Sequence, residues 1–393
     1  MCNGTIMDKL ISFSIPLMLS GILQLMFNAV DIVVVGRFSG SQALAAVGST
    51  TALINVFTNL FIGISLGANV LAARYYAAGK TKEMSETVHT AIALALVSGV
   101  AMAVIGVVFA RGALEIMGTP DDVIAKSTLY MRIYFCGMPF FMMYNYGAAI
   151  LRAVGDTKRP LIFLIVSGVI NAVLNLFLVI GFHLDVAGVG IATVISQLVS
   201  CILVLRCLHH TESSYQLHLA KLRIRSVYLK QIFEVGVPAG IQSTVINISN
   251  AMLQSSVNSF GAIAMAGYTA SNNIFGFLYV SVNSFTQACM SFTSQNYGVK
   301  KLKRMDRVLI DCMILSVVVT LILGSSVYIF GPELLHIYSN QADVIKYGME
   351  IFSYTTVTYF LCGLMDLFPG ALRGMGYSTV PMILSIIGTV GVR

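Results

Sequence analysis

Residues 13–35 read FSIPLMLSGILQLMFNAVDIVVV. At the α-helical rise of 1.5 Å per residue, this stretch is long enough to cross a bilayer. One proline, Pro16, and one carboxylate, Asp31, stand among apolar side chains. An acid at such a depth costs roughly 2.5–3.5 kcal/mol on insertion scales, so it is expected to face protein or water, not lipid. Ser20, Gln24, Asn28 and Asp31 recur at helical spacing and share one face. Such a stripe either hydrogen-bonds a neighbouring helix or lines an ion or substrate path. The acid favours the second reading, because intramembrane carboxylates are rarely kept for packing alone.

The composition agrees with a membrane chain. Of 393 residues, 57% are hydrophobic and 10% charged, where soluble domains carry about 25% charged residues. The expected class is an all-α polytopic membrane protein. The net charge of +7 does not point to nucleic acid, since no basic patch interleaved with aromatics stands in a soluble domain. The seven cysteines are scattered and form no CxxC pair, which argues against a zinc site or a disulfide framework. The first apolar run is too long for a cleavable leader and reads as the first spanning helix.

Outward from residues 13–35, apolar runs recur at 11–35, 44–73, 88–110, 127–151, 160–182, 187–208, 232–257, 262–292, 308–330 and 347–372, with a further start at 379. Alternating the loops between two sides places Lys9, Arg74, Lys80, Lys82, Arg152, Lys158, Arg159, the basic segment 206–230, the cluster Lys300–Arg307 and Arg373 together. Only Arg37, Arg111, Lys126, Arg132 and Lys346 fall on the other side, and Arg393 is left out of the comparison. This asymmetry predicts a cytoplasmic N-terminus in a plasma membrane protein. The basic loops then serve topology, and no ligand is assigned to them.

A repeat of about 221 residues runs through the chain. Leu151-Arg152-x-x-Gly155-x4-Pro160 returns as Leu372-Arg373-x-x-Gly376-x4-Pro381, and Asp122-Val123-Ile124 as Asp343-Val344-Ile345. Pro16 pairs with Pro238 and Asn28 with Asn250, one residue further apart. An even number of helices per unit gives both units the same orientation, so two six-helix bundles in parallel repeat are expected. The boundaries read as an N-lobe over 1–208, a cytoplasmic linker over 209–231 and a C-lobe over 232–393. By the repeat offset Arg393 corresponds to Ala172, so the second bundle is expected to be truncated within its fifth helix.

Soluble-enzyme motifs are missing: there is no HExxH, no P-loop lysine motif, no GxSxG and no His/Cys cluster. The chain therefore reads as no enzyme and needs no cofactor. Without an ATP motif, any transport is expected to run on a gradient. What remains are polar faces inside the runs. Asn171 and Asn175 sit at i and i+4, Thr193 lies in the next run, and Asn145 pairs by the repeat offset with Asp366. Ser243, Asn247, Asn250, Gln254 and Asn258 form one stripe, and Asn272, Gly276, Tyr279, Asn283 and Gln287 another. Interhelical polar contacts, at about 0.6 kcal/mol each, account for any single stripe. Polar faces in both halves suggest instead a water-filled cavity taking substrate at Gln24, Asn145, Asn250, Gln254, Asn272, Tyr279, Asn283 and Asp366. Twenty Met with 22 Phe and 17 Tyr suit a cavity for varied organic cations.

Pro16, then Asp31 followed by Gly36, then the paired LRxxGxxxxP segments resemble the multidrug and toxic compound extrusion (MATE) family, along the whole chain. The resemblance implies two six-helix bundles and export of organic cations or drugs in exchange for H+ or Na+. It also implies a cation-coupling role for Asp31, with Asn171, Asn175 and Thr193 at the matching positions of the fifth and sixth helices. Some members carry an acid where this chain has Asn175, and many carry one near Ile246. With Asn28 flanking Asp31, a Na+ site at Asp31, Asn171 and Asn175 is the metal candidate. Pro16, which leaves a backbone carbonyl unpaired, is expected to act as a hinge. The mechanism expected is antiport by alternating access in a single working chain within the bilayer. The alternative is a lipid-linked precursor flippase of the same superfold, which would need a strongly basic cavity, whereas intramembrane Lys and Arg are not expected here.

Overall fold

The computed structural model describes residues 1–392, excluding the side chains of Ser41, Ala52, Ser255, Asn258, Ala262, Val390 and Val392. Arg393, used above to place the end of the second repeat, and the Asn258 side chain therefore lie outside the described residues. The helices are α1 (Met7–Phe38), α2 (Ser41–Ala77), α3 (Thr81–Ile116), α4 (Asp121–Cys136), α5 (Met138–Val154), α6 (Lys158–Leu176) and α7 (Asp185–His210). After the linker come α8 (Ser226–Asn258), α9 (Ala262–Gly298), α10 (Leu302–Ile329), α11 (Gly331–His336), α12 (Ala342–Gly374) and α13 (Thr379–Ile386). Every regular element among the described residues is helical.

Seven of these helices are long and apolar enough to cross a membrane: α1, α2, α3, α6 with its following π turn, α7, α10 and α12. α8 and α9 are of spanning length, at 33 and 37 residues, and carry the polar stripes read from the sequence. The run 127–151, expected as one helix, is two. Gly137 caps the end of α4 and Pro139 falls in the first turn of α5, and the Gly137 carbonyl accepts from both Phe140 and Phe141. A β-carbon on Gly137 would sit 2.5 Å from Oε1 of Gln197 on α7, so glycine is what lets α7 close over this break.

The LRxxGxxxxP repeat has a local physical cause. Gly155 and Gly376 adopt φ values of 102° and 96°, a left-handed conformation that costs glycine nothing. Gly155 N–H donates to the Arg152 carbonyl and Asp156 N–H to the Leu151 carbonyl; Gly376 and Tyr377 repeat the pattern on Arg373 and Leu372. This pair of bonds is the Schellman stop. Pro160 and Pro381 then fall in the first turn of α6 and α13, where a missing N–H leaves no bond unmade.

Two compact units form, one from Leu23–Ile241 and the other from Met1–Ile22 with Gln242–Arg393. The chain passes from one to the other inside α1 and inside α8, shortly after Pro16 and Pro238, whereas the sequence reading put the boundary at the linker. Packing explains the crossing in α8. Gly236 and Gly240 of α8 meet Gly63 and Gly67 of α2 so closely that added β-carbons would lie 2.1–2.5 Å from the facing backbone. Paired small residues at this spacing let helix backbones approach in a membrane. The counterpart in the other unit is apolar. Leu10, Phe13 and Leu17 of α1 join Phe285, Ala288 and Phe292 of α9 in one buried cluster, with the Phe13 and Phe292 rings edge-to-face at 5.6 Å.

Candidate functional site

Asp31 lies on the part of α1 that belongs to the Leu23–Ile241 unit. One turn earlier, the Phe27 ring packs on Gly168 of α6, where a β-carbon would fall 1.9 Å from the ring. Gly168, Asn171 and Asn175 share one face of α6 by the helical period. Seating Phe27 on the glycine therefore brings both asparagines toward Asp31. Asn175 Nδ2 donates to Asp31 Oδ1 and also to Asn171 Oδ1, the latter at 3.2 Å. Asn175 is fully buried and Asn171 nearly so, while Asp31 is half-buried. Among the described residues no Lys, Arg or His forms an ion pair with Asp31.

The arrangement leaves oxygen acceptors in excess. Both amide hydrogens of Asn175 are spent, and its own buried Oδ1 has no hydrogen-bond partner. With the second Asp31 oxygen, the cluster presents the hard oxygen ligands that a cation such as Na+ takes, and the carboxylate oxygen itself can accept H+. Tyr130 and Tyr134, on the neighbouring α4, lie within electrostatic reach of Asp31, and Gln197 of α7 neighbours Tyr134. None of these three was singled out in the sequence. Their signal is weak there, because only the packing of α7 against both α4 and α6 gathers them on this side of the unit.

A family model described as MatE matches residues 16–177 and 238–393. The chain belongs to the MatE family. Both matched segments begin at the prolines that the repeat paired, Pro16 and Pro238. The "Probable multidrug resistance protein YoeA" of Bacillus subtilis is 30% identical over 388 residues, covering 97% of this chain and 84% of its own length. The "Multidrug export protein MepA" of Staphylococcus saprophyticus is 23% identical, covering 98% and 85%. A structure described as the outward-facing conformation of a multidrug resistance MATE family transporter of the MOP superfamily aligns with TM-score 0.93 at 20% identity. It covers 99% of this chain and 87% of that one, and it shows the two-bundle fold.

In this MatE chain the other sequence-derived positions are dispersed. Asn28 is exposed and makes no hydrogen bond to Asp31. The Thr193 hydroxyl donates to the Val189 carbonyl of its own helix at 2.9 Å, and Asn145 does the same to Phe141 at 2.8 Å. Gln24, Asn250, Asn272 and Tyr279 are exposed, and Gln254 and Asn283 are half-buried. Tyr279 and Asp366 lie within electrostatic reach of each other. Pro16 sits inside α1, and the Ser20 hydroxyl caps its carbonyl at 2.7 Å.

One expectation is corrected. Arg373, counted as a loop cation, ends α12 with its side chain turned into the unit, and its Nη2 donates to Gln242 Oε1 of α8. Gln242, only 5% exposed, donates in turn to Ser385 Oγ of α13 at 2.6 Å, and Asp366 lies within electrostatic reach of the same guanidinium. Arg373 thus bridges three helices from a position that the count of basic residues by side grouped with the loops, because the Schellman stop after it turns the chain and not the side chain. Arg373→Met is expected to strand the buried Gln242 oxygen and lower stability by about 1–3 kcal/mol, read as a fall in thermal unfolding temperature. No fall would remove this bridge from the account of the unit.

Proposed function

We propose that this chain is a secondary transporter that exports organic cations or drugs across a plasma membrane in exchange for H+ or Na+, by alternating access. The observation that carries the reading is the Asp31 carboxylate, set within a spanning helix and held by the Asn175 amide, with no basic residue among the described residues paired to it. A carboxylate placed this way is costly when bare and comfortable when a cation occupies it. Occupancy by H+ or Na+ is therefore the natural variable coupling an ion gradient to a change of state. The names of YoeA and MepA supply the substrate class, and the abundance of Met and aromatic side chains suits it.

Asp31 is the coupling residue in this proposal, with Asn171 and Asn175 as its oxygen and amide partners. Pro16 is the hinge, and Asp366 and Tyr279 belong to the substrate path of the other unit. The N-terminus faces the cytoplasm and a single chain is the working unit. The test is transport by the purified chain in proteoliposomes under separately imposed H+ and Na+ gradients, with ethidium as the probe. Accumulation or efflux driven by one of the two gradients and collapsed by the matching ionophore is the expected result. Ethidium movement indifferent to both gradients would end the antiport reading.

A further inference from the structure

The connection between α7 and α8 does more than join them. Its segment His218–Arg225 is strapped along the first turns of α3 by backbone bonds to two buried side chains. His218 N–H donates to His89 Nε2 at 3.1 Å, while His89 Nδ1 donates to the Ser85 carbonyl at 2.6 Å. Thr90 Oγ1 donates to the Arg223 carbonyl at 3.4 Å and accepts from Arg225 N–H at 3.3 Å. His89 and Thr90 are 4% and 0% exposed, so the strap is fixed by the core of its own unit. Within the strap only Leu219–Lys221 is helical, as one 3₁₀ turn.

Beneath the strap lies a cavity of about 540 Å³ lined by Lys82, Ser85, Glu86 and His89 of α3 and by Lys221, Arg223 and Arg225, among others. Four of these side chains are cations, from two segments about 140 residues apart, and they converge on one space. Glu86 is the only acid among the lining residues, and it answers Arg225 at a loose 3.7 Å. Desolvation first, and then the nearby Lys221 charge, hold the neighbouring His218 imidazole below its ordinary value. The chain segment that rims the cavity is apolar as well as basic: Leu219, Ile224 and Val227, beside the lining residues in sequence, are 60%, 40% and 63% exposed. Basic residues interleaved with exposed apolar ones at the end of a spanning helix match the headgroup layer of an anionic bilayer.

We propose that this cavity between α3 and the strap binds a phosphate-bearing anion, with Lys82, Lys221 and Arg223 as its charge partners and Ser85 as a hydroxyl donor. The exposed rim favours the headgroup of an anionic phospholipid over free phosphate. The site is separate from Asp31 and does not depend on the transport reading.

The chain has no Trp, so Leu219→Trp on the rim gives a single fluorescent reporter. The full chain carrying it, in non-ionic detergent, is titrated with dioctanoyl phosphatidylglycerol, with dioctanoyl phosphatidylcholine, and with sodium phosphate against sodium chloride at equal ionic strength. A saturable change with phosphatidylglycerol is expected. Lys82→Gln with Arg223→Gln should weaken it on the order of 25-fold, at about fivefold per cation near a membrane surface. Glu86→Gln, which removes the one opposing charge, should tighten it about fivefold, a gain that no misfolded variant can mimic. Saturation by sodium phosphate at similar concentrations supports the site with a free anion as its source, and saturation by phosphatidylglycerol alone supports the headgroup. An equal response to phosphatidylcholine or to chloride, or a response untouched by all three substitutions, overturns the proposal.

Discussion

Asp31→Asn is expected to reduce gradient-driven ethidium efflux to the level of protein-free vesicles while leaving the yield of folded protein unchanged. The substitution keeps the shape of the side chain and an oxygen that can accept from Asn175 Nδ2, so the contact between α1 and α6 survives. It removes only the charge, which is the quantity that an exchanged cation neutralises in the proposed function. Loss of a half-buried charge from a spanning helix should hold or raise the unfolding temperature. A companion separates geometry from charge. Asn175→Leu leaves the carboxylate in place without its donor, and stability is expected to fall by about 1–3 kcal/mol, because a half-buried charged group loses its partner. Efflux that still follows an imposed gradient in Asp31→Asn would strip Asp31 of the coupling role, whatever the stability data show.

Gly240→Ala is expected to be the most damaging single methyl that the chain can receive among the helical glycines of α8. In an isolated helix interior the change would stabilise by roughly 0.5–1 kcal/mol. Here the new β-carbon would lie 2.4 Å from the Leu60 carbonyl oxygen of α2, and backbone cannot rotate away as a side chain can. Overpacking of this kind costs about 1–3 kcal/mol and more where backbones must separate. Gly63→Ala, whose β-carbon would meet the Gly240 Cα at 2.3 Å, should behave alike. Gly112→Ala on α3, with nothing within 4 Å, is the control and should be neutral or mildly stabilising. Thermal unfolding in detergent reads all three. Equal stability of Gly240→Ala and Gly112→Ala would mean that α2 and α8 do not meet through these glycines.

The repeat shows how far the linear pattern reaches. LRxxGxxxxP could be read twice in the chain because a helix stop and a helix start depend on few neighbours: a glycine able to reach positive φ, and a proline where no N–H is needed. The positions of most long apolar runs were legible for a similar reason, since bilayer thickness acts on length and composition alone. The break at Gly137 was not read, because the reason for it, Gln197 of α7, comes from 60 residues away. The Arg373 side chain was misplaced for the same kind of reason. Its charge reads as a loop signal until Gln242 and Asp366 are brought beside it.

Sequence alone determined an all-helical membrane chain, its internal duplication, and Asp31 as the acid that needs an explanation. These follow from hydrophobicity, periodicity and the cost of burying charge, each of which acts within one or two helical turns. Only the tertiary structure decided that Asn175 and not Asn28 holds Asp31, that the chain changes units inside α1 and α8, and that four cations from α3 and the strap share one cavity. Those outcomes hang on which backbones can touch. Phe27 needs the bare surface of Gly168, α8 needs the glycines of α2, and the strap needs His89 and Thr90. None of these pairings leaves a mark at the spacing of a single helix.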